Sequence, residues 1–234
     1  MEIAAQFDAR AKTYGAWFEK SLGTKYLDKL EKNALLDALK TLKRKRVKIA
    51  EIGPGRGRIA RYLIEKMNID AYYGVELSPK MAEDLKKQNL KRLKVIAADG
   101  SSYRLREKVN VAISIRQIKY NQDYGKQLQS MRNSLKKGGI IIIEFPSVFS
   151  IAGVRNMILK GEDVLFNPFK LNKELTKLGF TNLKTKSIRY LADNFYVWAV
   201  NETHLKLLVL VEKFLKILLP YWLGRSIIIS AKAS

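Results

Sequence analysis

Residues Val47 to Tyr62 read VKIAEIGPGRGRIARY, and this stretch decides the fold. Val47, Ile49 and Ile52 form an alternating apolar run, as in a strand. Ile59, Ala60, Leu63 and Ile64 then recur at helical spacing. Between them lies the turn Gly53-Pro54-Gly55-Arg56-Gly57. Strand, glycine-rich turn and helix form a nucleotide-binding unit: glycine adopts backbone angles that a Cβ forbids and lets a ligand approach the main chain. The N–H groups of the turn and helix start are expected to face that ligand. A dinucleotide fingerprint needs a third glycine where Arg58 stands, and the Gly-Lys-Ser/Thr end of a P-loop is absent.

Counted from Glu51, the spacing is Glu-x-Gly-x-Gly-x-Gly. It resembles motif I of class I S-adenosylmethionine (SAM) dependent methyltransferases. That resemblance implies SAM as cofactor, held by Glu51, Gly53, Pro54, Gly55 and Gly57.

About twenty residues on, the apolar run Ala71–Leu77 carries Glu76 near its end. One carboxylate there can accept from both hydroxyls of a ribose, with Leu77 beside it. Ser78-Pro79 then reads as the start of a helix, serine as N-cap and proline in the first turn. A third strand runs from Leu93 towards Asp99-Gly100. The resemblance gives Asp99 the adenine amine and Gly100's backbone a ring nitrogen. Val109 to Ile115 is almost continuously apolar, as in a central parallel strand. Ligands of open α/β sheets bind beyond the carboxyl ends of the strands, so Ile115 and Arg116 are assigned to the cofactor, and Arg116, Gln117 and Tyr120 to the methyl group or acceptor. Tyr124 to Leu135 reads as a helix closed by Lys136-Lys137-Gly138-Gly139, with a fifth strand from Gly139 to Pro146. Leu171–Leu178 reads as a helix, and Thr181–Leu191 and Arg225–Ala233 as strands. The expected architecture is a Rossmann-like, doubly wound, seven-stranded α/β sheet, mainly parallel with an antiparallel last strand.

Residues 1–45 form a helical N-terminal cap of the same domain, and 46–234 the methyltransferase domain. Ala9–Ala16 and Leu22–Leu42 have helical spacing. Phe7, Asp8, Ala11 and Tyr14 match the Phe-Asp-x-x-Ala-x-x-Tyr pattern of methyltransferases related to ubiquinone and menaquinone biosynthesis, although Gly15 replaces the following acid. In that family the cap folds over SAM. The likeness makes Tyr14, Trp17 and Phe18 lid candidates, unless these aromatics only pin the cap to the core. Lys43-Arg44-Lys45-Arg46 suits a helix C-terminus.

The chain has 234 residues, no cysteine and 47% hydrophobic side chains. It fits one domain without disulfides or thiolate metal sites. Enzymes that methylate pyrimidine carbon-5 through a cysteine adduct are excluded. Ser114-Ile115-Arg116-Gln117 also lacks the tetrapeptide of exocyclic-nitrogen base methylation. Neither a signal peptide nor a transmembrane run is read, so the expected location is cytoplasmic. No metal cluster is read. The net charge of +22, from 44 basic and 22 acidic residues, suits either a polyanionic partner or a basic, thermophile-like proteome; no nucleic-acid motif accompanies it.

His204 to Leu223 reads as a helix with a broad apolar arc. It can pack as core, meet a partner or second copy, or wall a lipid pocket and lie on a membrane surface. Candidate catalytic residues are Tyr14, Arg116, Glu144 and the only histidine, His204. The expected function is methyl transfer from SAM to a small-molecule or lipid-like acceptor of the quinone-precursor type, by a monomer or homodimer. RNA or protein methylation, and a non-catalytic SAM-binding partner protein, are the alternatives.

Overall fold

The computed structural model describes residues 2–11, 15–42, 46–159 and 164–234, without the side chains of Glu2 and Arg10. Tyr14 and positions 43–45 of the basic run lie outside the described residues. The chain order is α1 (Glu2–Arg10), α2 (Leu22–Leu39), β1 (Val47–Ile52), α3 (Arg58–Lys66), β2 (Ile69–Glu76), α4 (Pro79–Lys87), β3 (Leu93–Ala97) and β4 (Val109–Ser114). It continues with α5 (Tyr124–Ser134), β5 (Leu135–Pro146), α6 (Ile151–Ile158), α7 (Pro168–Lys177), β6 (Phe180–Arg189), α8 (Asp193–Trp198), α9 (Glu202–Leu218) and β7 (Ser226–Ala233).

The seven strands form one sheet in the order β3-β2-β1-β4-β5-β7-β6. The pairs β1–β2, β2–β3, β1–β4 and β4–β5 are parallel. β7 enters antiparallel between β5 and β6. Alternation along the strands divides the core. Ala50, Ile52, Ala112, Ile141 and Ile143 face α5 and α7, packing with Leu128, Met131, Leu171 and Leu175. Ile49, Tyr72, Val111, Ile113 and Ile142 face α2 and α3, packing with Leu35, Leu39, Ile59 and Leu63. β4 is buried along its whole length, which is why its sequence runs apolar instead of alternating. Chain direction across the sheet reverses between β1 and β4, and such a switch point opens a crevice at the carboxyl ends of the strands.

Several elements differ from the sequence reading. The first helix occupies Glu2–Arg10 rather than 9–16, and Ala16–Glu19 is a short 3-10 turn. α2 stops at Leu39 with Lys40 as C-cap, and Arg46 pairs with Asp70. Gly138 and Gly139 do not cap α5. The helix ends at Ser134, because Leu135 turns extended at once to bury itself and pair with Val109. The register then jumps from Val109–Leu135 to Val111–Ile140, and Gly138 takes the positive φ of 71° inside that irregularity. α7 starts earlier than expected because the Asn167 side chain caps it, accepting the N–H groups of Phe169 and Lys170. α8 was not expected. α9 ends before Pro220, and Tyr221–Leu223 is a separate 3-10 turn.

The core reading of α9 fails along most of its length. Only Leu208 and Glu212 are buried, whereas Leu207, Leu210, Phe214, Ile217 and Leu218 are exposed. Leu208 joins Leu27 of α2 and Tyr196 and Ala199 at α8 in a small third cluster.

Candidate functional site

A cleft with a cavity volume of about 110 Å³ opens at the switch point. Gly53 and Gly55 come from the turn after β1, Glu76 and Leu77 from the end of β2, and Asp99 and Gly100 from beyond β3. Gln117, Tyr120 and Asn121 close the side after β4, and Ile3 and Phe7 of α1 lie over the mouth.

The turn is built from β2 as much as from its own glycines. Gly53 N–H donates to Val75 O at 2.8 Å, and Gly57 N–H to Pro54 O at 2.9 Å. Gly55 N–H donates to Glu76 Oε2 at 2.8 Å. All three glycine N–H groups therefore bond within the protein, contrary to the expectation that they face a ligand. The glycines are still needed. Gly53 has φ 69°, and a Cβ there would stand 2.3 Å from Gln117 Cγ. Gly57 has φ 77°, with Leu85 Cδ1 at 2.5 Å from its would-be Cβ.

Glu76 is the polar centre of the cleft. Its side chain is buried, with Oε2 on Gly55 N–H and Oε1 accepting from Ser78 N–H at 3.0 Å. Burial raises its pKa, and the N–H groups of Ser78, Gly55 and Leu77 counter that only in part. Each oxygen retains a second lone pair for a ligand hydroxyl. Ser78 caps α4 as its sequence indicated, accepting Met81 N–H at 3.1 Å. Asp99 is exposed beyond β3, its Oδ1 accepting from Ser101 N–H at 2.7 Å. A Cβ on Gly100 would fall 2.4 Å from Ile52 Cγ2, so this wall admits only glycine.

The far side is a polar amide network. Gln127 Nε2 donates to Gln117 Oε1 at 2.6 Å, and Asn121 Nδ2 to Gln127 Oε1 at 2.8 Å. Ser114 Oγ completes it at 3.0 Å from Gln117 Oε1. The cap closes the top. Phe7 meets Tyr120 edge-on at 5.1 Å, and Asp8 accepts from the Ser78 hydroxyl and from Lys80 N–H. Ile3, Phe7 and Asn121 were not singled out as site residues. The Phe-Asp pattern was the signal that could have placed Phe7 there.

Five of the assigned cofactor residues do not line this cleft: Glu51, Pro54, Gly57, Ile115 and Arg116. Glu51 points to the opposite face of the sheet, where its Oε2 accepts from the Tyr72 hydroxyl at 2.6 Å. Burial pushes its pKa up to about 7, beyond what Tyr72 and Arg58 offset. Pro54 packs near Gly74, and Ile115 belongs to the α2–α3 side of the core.

Of the described catalytic candidates, Arg116 and Glu144 meet, through the main chain of Arg116. Arg116 sits in the left-handed region at φ 58°, a conformation that costs a non-glycine residue energy. Its N–H donates to Glu144 Oε2 at 2.8 Å, and its guanidinium to Glu31 Oε1 at 3.0 Å. Trp17 and Phe18 cover that guanidinium at 5.2 and 5.4 Å, so these lid candidates shield an ion pair rather than the cleft. Glu144 is buried with its other oxygen accepting from Ser226 Oγ at 2.5 Å. A carboxylate bonded at both oxygens is a brace and not a poised base. His204 stacks on Trp198 at 4.0 Å in the first turn of α9, and its N–H is capped by Asn201 at 2.9 Å.

Residues 49–139 match the family model of a methyltransferase domain. No curated protein sequence matches the chain. Among solved structures, the chain is similar to a SAM-dependent methyltransferase from Thermotoga maritima described as a possible histamine N-methyltransferase. The identity is 20%, the TM-score 0.67, and the match covers 97% of this chain and 98% of that one. A methyltransferase in complex with the Haloferax volcanii Trm112 activator gives 16%, 0.68, and 97% of each chain. A phosphoethanolamine N-methyltransferase of Haemonchus contortus, in complex with SAM, gives 17% and 0.61 over 86% of this chain and 52% of that one. At such identities the likeness concerns the fold. Residues 49–139 thus resemble a methyltransferase domain, and the chain has the Rossmann-like fold seen in SAM-dependent methyltransferases.

Proposed function

We propose that the protein transfers the methyl group of SAM to a small or lipid-like acceptor, of the quinone-precursor type indicated by its cap. The buried carboxylate of Glu76, held at the cleft by two backbone N–H groups, carries the reading. In this assignment Glu76 takes the ribose diol, Asp99 and Gly100 the adenine edge, and exposed Leu77 offers an apolar face to the base. Gln117, Tyr120 and Asn121 take the methyl side, where Phe7 helps to exclude water. SAM supplies a methyl group on a sulfonium, already a good leaving group. What the chain must add is alignment and desolvation. The apolar cap residues Ile3 and Phe7 support a non-polar acceptor entering beneath α1.

Calorimetric titration with SAM tests the site. Glu76→Ala should weaken binding by roughly 1–3 kcal/mol, the loss expected for buried hydrogen bonds to a charged group. An unchanged affinity would remove Glu76 from the assignment, and no SAM binding by the wild type would remove the function. Labelled SAM incubated with lipid, RNA and protein fractions of an extract then reads the acceptor class. Label in RNA or protein, with none in lipid or small molecules, overturns the proposed acceptor. Binding without any transfer leaves a SAM-binding module.

A further inference from the structure

α9 is inverted relative to an ordinary surface helix. Its inward face carries Glu212, whose Oε1 accepts from Leu191 N–H at 2.9 Å and from the Tyr196 hydroxyl at 2.6 Å. Both its oxygens also accept from Tyr190 N–H at 3.1 Å. These donors at the end of β6 and on α8 fix the rotation of the helix. They leave Leu207, Leu210, Phe214, Ile217 and Leu218 as an outward stripe, with Ile217 82% exposed. By helical geometry Lys206 and Lys213 run along one border of that stripe. Both are exposed.

Past the helix, half-buried rings lead on to further exposed apolar side chains. Tyr221 and Trp222 follow α9 and meet Phe169 at 6.4 and 5.7 Å, and Phe169 meets Phe149 at 6.2 Å. Ser147 Oγ ties this turn down by donating to Trp222 O at 2.6 Å. α6 begins two residues after Phe149, with Ile151 90% and Ile158 74% exposed beside exposed Val154 and Met157. α6 follows the carboxyl end of β5, the end of the parallel strands at which the cleft opens. Contiguous exposed apolar surface of this kind marks an interaction face.

We propose that α9, the Tyr221–Trp222 turn and α6 together form a face that docks on an anionic lipid bilayer. Charge selects the occupant. The chain carries +22, and lysines border the stripe, the arrangement of an interfacial helix on anionic headgroups. Trp222 and Tyr221 are ring types suited to the headgroup level. A second copy would set two strongly basic chains face to face in an isologous contact. Among the described residues no helix is long and apolar enough to cross a membrane, so the contact is peripheral. It does not depend on the methyltransferase reading.

Sedimentation with vesicles tests it, using phosphatidylcholine alone and phosphatidylcholine mixed with phosphatidylglycerol. The chain should bind the mixed vesicles, leave them as salt rises, and ignore the zwitterionic ones. The pair Leu210→Asp and Ile217→Asp should abolish binding while the thermal unfolding midpoint stays within a few degrees of the wild type. Lys206→Gln with Lys213→Gln, both exposed, should weaken partitioning about twenty-five-fold, from about fivefold per basic residue near an anionic surface. No binding to mixed vesicles at low salt, or binding that survives both sets of substitutions, overturns the proposal. So does a dimer that the aspartate pair dissociates in a chain that ignores lipid.

Discussion

Three carboxylates near the carboxyl ends of strands β1, β2 and β5 look alike in sequence, yet parity and partners give them different work. Ile52 faces the cleft, so its neighbour Glu51 must point to the other face of the sheet. There it finds Tyr72 and the apolar core instead of SAM. This alternation was legible in VKIAEI, whereas the hydroxyl of Tyr72 that receives the carboxylate was not. The consequence is a pH-dependent stability. Burial raises the Glu51 pKa from 4.5 to about 7. A raised folded pKa means the stabilisation is complete below 4.5 and is lost as pH rises through about 7. The shift corresponds to about 3 kcal/mol at full ionisation. Glu51→Gln keeps an acceptor for Tyr72 and removes the titration. Urea unfolding from pH 5 to pH 8 should show the wild type losing about 2–3 kcal/mol relative to Glu51→Gln over that range. A difference that stays constant with pH would refute the buried-acid account.

Whole elements were legible where one physical demand dominated. β1 and β4 are buried on both faces, so their apolar runs have one reading. α4 was readable because Ser78 and Pro79 define its first turn. The start of β5 was obscured by Leu135, whose burial beside Val109 outcompetes the helix-ending glycines. The rotation of α9 was not legible either: a broad apolar arc has no unique inward side, and the donors that capture Glu212 come from elements adjacent only in the fold. The α3 entry shows how strictly one such junction is set. Gly57 is the N-cap of α3 at φ 77°, with no side-chain cap, and the space for a Cβ is occupied by Leu85 Cδ1 at 2.5 Å. Gly57→Ala must strain the backbone and displace Leu85 from its fully buried position on the inward face of α4. The two effects together should cost about 2–4 kcal/mol of unfolding free energy. Gly125 has nothing within 4 Å of a would-be Cβ and no positive φ. Gly125→Ala is therefore the matched control, expected to change stability by less than about 1 kcal/mol. Equal effects at the two sites would show that the α3 junction is not constrained as described.

At the scale of the molecule, ion pairs tie together the elements around the carboxyl ends of the parallel strands, beside the cleft. Glu31 of α2 is buried and takes Arg116 at 3.0 Å and Arg58 at 2.8 Å. Asp28, one turn earlier, takes Arg58 at 2.5 Å. Asp193 of α8 takes Arg189 at 2.6 Å and lies 3.9 and 4.0 Å from Arg116 and Arg225. The network joins the cap helix to α3, α8 and the ends of β4, β6 and β7. It explains why Arg116, a natural candidate for chemistry from its place after β4, is committed elsewhere. Burial alone would raise the pKa of Glu31, but Arg58, Arg116 and Arg189 outweigh it and the net shift is downward. The stabilisation is therefore present at neutral pH and is lost as the solution becomes acid. Removing the charge leaves two guanidiniums poorly compensated, a change that costs about 3–5 kcal/mol when a buried pair is broken. Glu31→Gln should lower stability by that order at pH 7. In an Arg116→Met background the same substitution should cost less by at least about 1 kcal/mol, because one of the stranded charges is gone. Neither residue lines the cleft, so SAM affinity measured on the folded fraction should stay within about twofold. Additive losses would dissolve the network into independent pairs. A collapse of SAM binding with stability intact would return Arg116 to the active site.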